Sequence, residues 1–417
     1  MANGGLIAAL DVGSSKICCF IAEKHPNGVP RVAGIGQQAS KGVKNGAIVG
    51  MDQAEEAIRN AVHAAEQMAG ETIEQVIVNL SGGYPVSNSI GVEVAIDGHE
   101  VAESDLRRVF QQSRQAESLR RQNQSGRQLI HVIPTGYTID GSRGIRDPLG
   151  MYGDLLGVNF HVVTASAGAV RNLSTCIERC HLDPVGFVVS PYASGLAVLV
   201  DDEMDLGVTV IDMGGGTTTI AVFYEGNVIY TDMVPVGGNH VTSDIARGLS
   251  APLAHAERLK TLYGHAMTSP VDEREMIDVP QVGEAPDEPA HQVSRSILTA
   301  ILQPRLEETM ELVRSRLETS GFDKIAGRRV VLTGGACQVP GLSDLAALVL
   351  DKQVRIGKPV RACGLAEATA GPAYSTCAGL LGYALKGGAA QPRDEPADEH
   401  SSAGLIGRLG SWLRQHF

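Results

Sequence analysis

Two strand–turn–strand segments, one in each half of the chain, constrain the fold most strongly. Residues 207–223 read GVTVIDMGGGTTTIAVF, and residues 6–23 read LIAALDVGSSKICCFIAE. In each segment an apolar run ends in an aspartate, Asp212 or Asp11, which is followed by a glycine turn with small hydroxyl residues and by a second apolar run. Apolar runs bounded by glycines are typical of strands joined by tight turns. The sequence therefore predicts a similar strand pair in each half.

The composition of the two turns indicates phosphate binding. Glycine lets backbone N–H groups approach an anion, and a concave set of such groups with hydroxyls beside them binds phosphate. The aspartate is explained if a Mg²⁺ ion, usually water-coordinated, lies between it and the phosphate. One such turn is equally well an ordinary glycine hairpin, but two copies predict two halves holding one polyphosphate. The candidate residues are Asp11, Gly13, Ser14, Ser15 and Lys16 in the first turn and Asp212, Gly214, Gly215, Gly216 and Thr217 in the second.

Size and charge limit the function classes. A chain of 417 residues predicts two or more domains. The 47 acidic and 35 basic residues give a formal charge of −12, which argues against a general nucleic-acid binder. No apolar run approaches the roughly 20 residues that span a bilayer, and the N-terminus has no pattern of a secretion signal. The seven scattered cysteines, including Cys176 and Cys180 beside His181, lack a second ligand pair and predict reduced thiols in a cytoplasmic protein.

A third glycine turn completes a known motif order. Residues 329–342 read RVVLTGGACQVPGL, with Gly334 and Gly335 after an apolar run. The three turns, in this order, resemble the phosphate-1, phosphate-2 and adenosine motifs of the actin-like ATPase superfamily. The resemblance implies ATP and Mg²⁺ between two halves, with Asp11 and Asp212 holding the metal mostly through water and Gly334 and Gly335 flanking adenine.

The resemblance also assigns a sugar site. Glu257 and Lys260 are three residues apart, so they share one face of a helix. By spacing alone they predict a surface ion pair that contributes little stability. In actin-like ATPases the corresponding glutamate and lysine hold the ribose hydroxyls.

An insertion narrows the resemblance to one family. Residues 84–163 alternate strands with a polar helix over 103–121, and the fragments IPTGYTIDG (133–141) and DPLGM (147–151) resemble subdomain 1C of the FtsA family of bacterial cell-division proteins. Residues 235–248 and the Gln-Pro-Arg element ending at Arg305 resemble that family's subdomain 2B.

The fold class implied is α/β: an actin-like, ribonuclease H-like two-domain fold with an inserted SHS2-type 1C subdomain and a C-terminal amphipathic helix. We expect a core-facing helix over 50–70 that buries Met68 among other residues, and a long helix over 292–317 interrupted or kinked near Pro304. The expected boundaries are subdomain 1A over 1–83 and 164–205, 1C over 84–163, 2A over 206–238 and 310–370, 2B over 239–309, a return to 1A over 371–385, a linker over 386–403 and a terminal helix over 404–417.

The family resemblance implies a function. It implies an ATP-binding protein that forms filaments on the inner face of the cytoplasmic membrane at the division site, binds the C-terminal peptide of FtsZ through 2B and recruits later division proteins. The connecting helix over 191–200 carries no glutamine or acid, so hydrolysis should be slow at most. Arg305 is the candidate for the acidic FtsZ tail, with residues 239–245 beside it, although an ion pair within its own helix explains it nearly as well.

Two alternatives stay open at this level. A small-molecule kinase of the same superfamily would need a catalytic aspartate at a substrate pocket in the first domain, and no motif places one. A pilus-assembly relative would share the nucleotide motifs and the insertion, but it should lack the terminal membrane helix.

The C-terminal segment predicts a membrane anchor. Residues 404–417 (GLIGRLGSWLRQHF) follow a hydrophilic linker, so no core is at hand to cover an apolar helix face. A lipid interface would cover that face, and Arg408 and Arg414 would favour anionic lipid by about 1 kcal/mol each. The side chains on the apolar face are Leu405, Ile406, Leu409, Trp412, Leu413 and Phe417.

Replacing Trp412 with Glu should release the protein from anionic liposomes, because a charge would enter the apolar face at the headgroup boundary. ATP binding should be unchanged. Co-sedimentation with liposomes measures the release, and a chain ending at Ala403 is the control for complete loss. Continued co-sedimentation of either variant would show that this segment is not the anchor.

Overall fold

The described part of the chain contains both halves and the insertion. A computed structural model describes residues 5–24, 29–122, 126–283, 291–361, 364–365 and 367–385. The predicted linker over 386–403 and the predicted terminal helix over 404–417 lie outside these residues. No helix of the described ranges is long and apolar enough to cross a membrane.

The first half starts with the predicted strand pair. Its opening elements are β1 (Leu6–Val12), β2 (Lys16–Glu23), β3 (Arg31–Ala39), β4 (Val43–Lys44), β5 (Ala47–Ile48), α1 (Met51–Ala69) and β6 (Gln75–Leu80). β1 and β2 are antiparallel and register Asp11 opposite Cys18. α1 lies on this sheet and ends at Gly70, whose φ of 73° suits glycine.

One residue of α1 departs from the expectation. Met68, predicted on the buried stripe, is 62% exposed. The stripe continues instead through Ala65 and Ala69, because β3 passes close to the helix there. A Cβ on Gly34 of β3 would lie 2.2 Å from the carbonyl oxygen of Ala65 and 2.8 Å from Cβ of Ala69.

The insertion is an antiparallel sheet covered by one helix. Its elements are β7 (Val86–Ala95), α2 (Glu103–Gln122), β8 (Arg127–Ile139), β9 (Ser142–Ile145) and β10 (Leu155–Ser166). The sheet order is β7-β10-β8-β9, and Phe110 of α2 packs edge-on against Phe160 of β10 at 5.1 Å between ring centroids. β8 continues through Pro134, where its pairing with β10 shifts register between Asn159 and Phe160.

The insertion contacts both halves through buried histidines. His131 Nε2 accepts the Val189 N–H at 3.1 Å in the first half. His161 Nε2 lies 3.4 Å from Thr231 Oγ1 in the second half, and the Thr231 N–H donates to Ser87 Oγ at 3.2 Å. Burial lowers the pKa of His131 to about 3 and that of His161 to about 4, so both rings are neutral at pH 7.

After the insertion the chain completes the first half and crosses to the second. The elements are α3 (Ala167–Arg179), β11 (Asp183–Val189), α4 (Ser190–Val198) and α5 (Asp201–Leu206). β11 joins the first sheet, whose order is β11-β6-β1-β2-β3.

The second half repeats this topology. Its elements are β12 (Val208–Met213), β13 (Thr218–Tyr224), β14 (Asn227–Val234), α6 (Gly238–Gly248), α7 (Leu253–Tyr263), β15 (Met276–Val279), β16 (His291–Ser294), α8 (Arg295–Ser320), β17 (Arg329–Thr333), α9 (Leu342–Leu350) and β18 (Gln353–Ile356). The helix α10 (Ser375–Leu385) then leads back to the first half. The sheet order is β14-β13-β12-β17-β18. In both sheets three antiparallel strands are followed by two parallel ones. The prediction of two related halves is confirmed.

The long helix differs from the expectation at its start and middle. Residues 292–294, predicted as helix, belong to β16, which pairs with β15, and the helix α8 begins at Arg295. The helix is not interrupted at Pro304, which lies inside α8. The core of the second half covers its inner face: Leu298, Leu302, Leu306, Met310 and Val313 are buried.

The two helices that connect the halves, α4 and α10, cross in close contact. A Cβ on Gly379 of α10 would lie 1.7 Å from the carbonyl oxygen of Ala193 in α4. A Cβ on Gly195 of α4 would lie 2.4 Å from the Phe223 ring. Glycine at these positions sets how closely the halves approach.

Replacing Gly379 with Ala should destabilise the protein by about 1–3 kcal/mol, because the new methyl group overlaps the Ala193 carbonyl. A methyl group on Gly382 of the same helix would have no atom within 4 Å. Gly382→Ala is therefore the matched control and should stabilise by about 0.5–1 kcal/mol. Urea unfolding of both variants checks this, and equal stabilities would contradict the crossing geometry.

Candidate functional site

The predicted nucleotide residues come together in one cleft between the two halves. The cavity has a volume of about 380 Å³. Every residue predicted to bind nucleotide lines it: Asp11, Gly13, Ser14, Ser15, Lys16, Asp212, Gly214, Gly215, Gly216, Thr217, Glu257, Lys260, Gly334 and Gly335. Three turns and one helix that are distant in sequence therefore meet at one place.

The two repeated turns have the same local geometry. The Gly13 N–H donates to the Lys16 carbonyl at 3.0 Å, and the Gly214 N–H donates to the Thr217 carbonyl at 2.9 Å. Each bond joins residues three apart and closes a tight turn between the strands. Similar residues at similar spacing thus produce similar turns.

The turns face each other across the cleft. A Cβ on Gly215 would lie 1.9 Å from Ser15 Oγ, and one on Gly216 would lie 2.5 Å from Ser14 Oγ. Ser15 Oγ also donates to Asn239 Oδ1 of the second half at 2.9 Å. A side chain at either position of the second turn would displace a serine of the first turn.

The N-terminus of α6 fixes the second turn. The Gly238 N–H donates to the Gly214 carbonyl at 3.0 Å, and the Asn239 N–H donates to the Gly215 carbonyl at 2.8 Å. These N–H groups belong to the first turn of the helix, which has no intrahelical partner for them. These two bonds therefore tie the second turn to the helix.

Two buried carboxylates lie at the ends of the central strands. Asp11 is the second-to-last residue of β1 and is 8% exposed, and Asp212 is the second-to-last residue of β12 and is 6% exposed. Burial raises the pKa of Asp11 to about 7, with Lys16 opposing and Asp212 adding to the effect. Burial also raises the pKa of Asp212, while hydrogen bonds from Ser194 and Thr376 and the charge of Lys16 oppose this. Two such groups are costly to ionise unless a cation compensates them.

The donor set suits a water-coordinated Mg²⁺ ion. This ion is commonly held by one or two carboxylates, substrate phosphates and retained waters rather than by a full protein cage. Within the described ranges no group of three or more His, Cys, Asp or Glu side chains is placed to hold a metal ion. Cys176 and Cys180 were considered above as a possible pair of metal ligands, and in the structure the Cys180 thiol donates to the Cys176 carbonyl at 3.3 Å.

Lys16 is held by an aromatic ring of the return segment. Its Nζ lies 3.2 Å from the centroid of the Tyr374 ring, a cation–π contact. Tyr374 in turn donates its hydroxyl to Gln37 Oε1 at 2.5 Å. Burial lowers the pKa of Lys16.

Glu257 and Lys260 differ from the surface pair that spacing predicts. Lys260 is only 8% exposed, and its Nζ donates to Glu257 Oε2 at 2.7 Å, Thr242 Oγ1 at 2.9 Å and the Gly238 carbonyl at 3.1 Å. A lysine has three donor protons, so all are used inside the protein. Both residues line the cleft, and the side chain of Glu257, at 51% exposure, is the more accessible of the two.

Position 334 requires glycine because of both its backbone conformation and its close contact with Asp212. Its φ is 87°, a conformation that side chains disfavour. A Cβ there would lie 2.3 Å from Asp212 Oδ1. Its N–H donates to the Pro372 carbonyl at 3.2 Å, which ties the third turn to the return segment. Gly335 is less restricted, since the nearest atom to its Cβ position is 3.8 Å away.

Several lining residues were not found from the sequence. Asn79 accepts the Val12 N–H at 2.7 Å and donates to Ser190 Oγ at 3.2 Å. Thr376 lines the cleft and donates to Asp212 Oδ2 at 2.9 Å. The sequence signal that could have identified such cleft residues is a polar side chain that ends or interrupts an apolar segment. Further polar residues of the lining are Ser81, Ser190, Thr219, Asn239, Thr261 and Gln338.

Arg305 lies at a second opening beside the cleft. Its Nε contacts Asp244 Oδ2 at 2.5 Å, and its Nη1 pairs with Glu308 of the same helix. Asp244 is the main cause of the raised pKa of Arg305. The opening has a volume of about 320 Å³ and is also lined by Asn239, His240, Ser243 and Arg247. Of the predicted neighbours, Val241, Thr242 and Ile245 are buried in the core and do not line it.

Comparison with solved structures defines the class. A chain of the PilM-PilN type IV pilus biogenesis complex superposes with a TM-score of 0.65 at 17% identity, covering 91% of this chain and 98% of that one. MreB5 of Spiroplasma citri bound to ADP superposes with a TM-score of 0.53 at 12% identity, covering 91% and 96%. At these identities the likeness concerns the fold alone, and it shows that the chain has an actin-like fold.

Sequence relatives give the family. The family model described as cell division protein FtsA matches residues 209–379, and the SHS2 domain inserted in FtsA matches residues 82–164. The cell division protein FtsA of Agrobacterium fabrum is 46% identical over 431 residues, covering 99% of this chain and 95% of that protein. The chain belongs to the FtsA family, and its role is an actin-like one in cell division.

Proposed function

We propose that this protein binds ATP and Mg²⁺ in the cleft and polymerises on the inner face of the cytoplasmic membrane. There it tethers FtsZ filaments through subdomain 2B and recruits later division proteins. The observation that carries the nucleotide part is the pair of similar turns facing each other between two buried aspartates. Family membership supports the cell-division part.

Each wall of the cleft has a role in this proposal. Residues 14–16 contact the phosphates from one side and residues 214–217 contact them from the other, while Asp11 and Asp212 hold the water ligands of Mg²⁺. The bound ion would neutralise phosphate charge. Glu257 binds the ribose hydroxyls, and Lys260 orients Glu257 because its own protons are already used. Gly334 and Gly335 flank the adenine.

Hydrolysis is slow in this proposal, if it occurs at all. α4 lies beside the part of the cleft proposed to hold the phosphates, and among the described residues its Ser190 lines the cleft. Tyr192 of α4 packs against the rings of His131, Phe223 and Tyr383 instead. α4 therefore brings no carboxylate or amide that could orient a water molecule.

The membrane and partner roles use the remaining segments. Residues 404–417 attach the protein reversibly to anionic lipid through the linker 386–403, which makes it a peripheral protein on the cytoplasmic side of the membrane at the division site. Filament formation strengthens this attachment, because many weak anchors act together. The inserted subdomain 1C receives later division proteins. We also propose, from the sequence, the subdomain boundaries given in the sequence analysis.

Replacing Asp212 with Ala should abolish Mg²⁺-dependent ATP binding and leave the fold intact, because the carboxylate that faces the metal is removed. A fluorescent-nucleotide titration with and without Mg²⁺ measures this. Asp344→Ala, at the first turn of α9 and outside the cleft lining, is the matched control. Unchanged affinity of the Asp212 variant would reject the assignment. Phosphotransfer to a panel of sugars without binding to liposomes would instead support a kinase.

The FtsZ peptide is proposed to bind at the opening beside Arg305. The peptide is acidic and apolar, and Arg305 and Arg247 supply cations there. Asp244 and Glu308 already pair with Arg305, so an acidic peptide must displace at least one of them. The exchange replaces one charge pair with another and favours modest affinity.

Arg305→Glu should weaken binding of an FtsZ C-terminal peptide by about tenfold or more. The substitution replaces the cation with a carboxylate, which together with Asp244 and Glu308 would repel the acidic residues of the peptide. Arg314→Glu is the matched control. Arg314 lies on the same helix with a half-exposed side chain, but it is outside the opening. Fluorescence anisotropy of a labelled peptide compares them, and wild-type affinity in the Arg305 variant would show that the peptide binds elsewhere.

A further inference from the structure

Two hydroxyl groups from different helices meet on one oxygen of Asp212. Ser194 Oγ of α4 donates to Asp212 Oδ2 at 2.5 Å, and Thr376 Oγ1 of α10 donates to the same oxygen at 2.9 Å. The two hydroxyl oxygens are 3.0 Å apart. Ser194 is fully buried and Thr376 is 8% exposed. Water therefore does not compete for these bonds, and each is made to a group that carries charge when ionised.

The two helices are the connections between the halves. α4 leads from the first half toward the second, and α10 follows the last strand of the second half. They cross where Gly379 of α10 touches the carbonyl of Ala193 in α4. Ala193 is the residue before Ser194, and Gly379 is three residues after Thr376. The position of both hydroxyls therefore depends directly on this crossing.

Two hydrogen bonds orient the carboxylate of Asp212. Both hydroxyls donate to Oδ2, and a rotation of the carboxylate would break both bonds. Gly334 leaves room for Oδ1, since a Cβ there would lie 2.3 Å from it. The orientation of the carboxylate is thus set by the hydroxyls on α4 and α10.

We propose that Ser194 and Thr376 are positioning residues that hold Asp212 for Mg²⁺ and couple metal binding to the crossing of α4 and α10. This inference rests on the proposed ATP and Mg²⁺ site. A shift of the two helices moves the hydroxyls, the hydroxyls move the carboxylate, and the metal affinity changes. By linkage, bound Mg²⁺ and nucleotide in turn favour one crossing of the helices.

A purely structural role predicts something different. Loss of a structural hydroxyl would lower stability and weaken nucleotide binding equally with and without metal. A positioning role changes the Mg²⁺ dependence alone. The two roles are therefore separated by titrating Mg²⁺ at fixed nucleotide and by repeating the binding measurement in EDTA.

The experiment uses the full chain, a fluorescent ATP analogue and the variants Thr376→Val and Ser194→Ala. Each should raise the half-saturating Mg²⁺ concentration by about tenfold, the usual size of a lost hydrogen bond to a charged group. Affinity in EDTA should stay at the wild-type value. Hydrogen exchange should show that Mg²⁺ and nucleotide protect α4 and α10 in wild type, and that this protection is lost in the double variant.

Ser375→Ala is the matched control. Ser375 is buried on the same helix, and its hydroxyl is bonded to Thr333 Oγ1 at 2.7 Å rather than to Asp212. It should lose stability without changing the Mg²⁺ midpoint. Thr376→Ser, which keeps the hydroxyl, should retain the wild-type midpoint even if the valine variant is poorly folded.

Two results would overturn the positioning role and leave the proposed Mg²⁺ site intact. One is a wild-type Mg²⁺ midpoint in the Ser194 and Thr376 variants, and the other is a loss of nucleotide affinity in these variants that is equally large in EDTA. A wild-type chain that binds nucleotide with no response to Mg²⁺ would overturn the proposed metal site as well. A raised midpoint in Ser375→Ala equal to that of Thr376→Val would also count against it.

Discussion

The close crossing of α4 and α10 is the constraint on which the rest of the structure depends. Both helices run between the halves, and glycine at 379 lets the backbone of one touch the backbone of the other. Because the helices meet there, hydroxyls separated by 182 positions in the chain come within 3.0 Å of each other. The same approach brings the two sheets into one arrangement, with the repeated turns face to face across the cleft.

The cleft carries a charge problem that its ligand can solve. Two carboxylates are buried at the ends of the central strands, and burial raises the pKa of both. Lys16 offsets part of this charge, but burial also lowers its own pKa. A protein rarely keeps such groups together for stability alone, because desolvation of charge exceeds the gain from imperfect pairs. Perturbed ionisable groups gathered in a cleft are typical of binding sites.

The sequence was sufficient for whatever depends on nearby residues. The turns at Gly13 and Gly214 are each closed by a hydrogen bond between residues three apart, so their local composition predicts them. The repetition of the pattern predicts two related sheets. It was insufficient where a property depends on distant contacts. Lys260 is buried because α6 covers it. Asn79 and Thr376 are polar residues in apolar segments, but their place in the cleft depends on tertiary packing that this local pattern does not specify. Met68 fits the helical period and is exposed because β3 contacts the neighbouring residue Ala69 instead.

The inserted domain enters and leaves the chain within the first half, yet it also contacts the second. Its neutral histidines lie on adjacent strands, one bonded to Val189 of the first half and the other beside Thr231 of the second. Thr231 lies on β14, an outer strand of its sheet. A hinge motion of the halves must therefore either break the contacts of Thr231 with Ser87 and His161 or carry the inserted domain along. If these contacts hold, the outer surface of the inserted domain would shift together with β14 as the cleft opens.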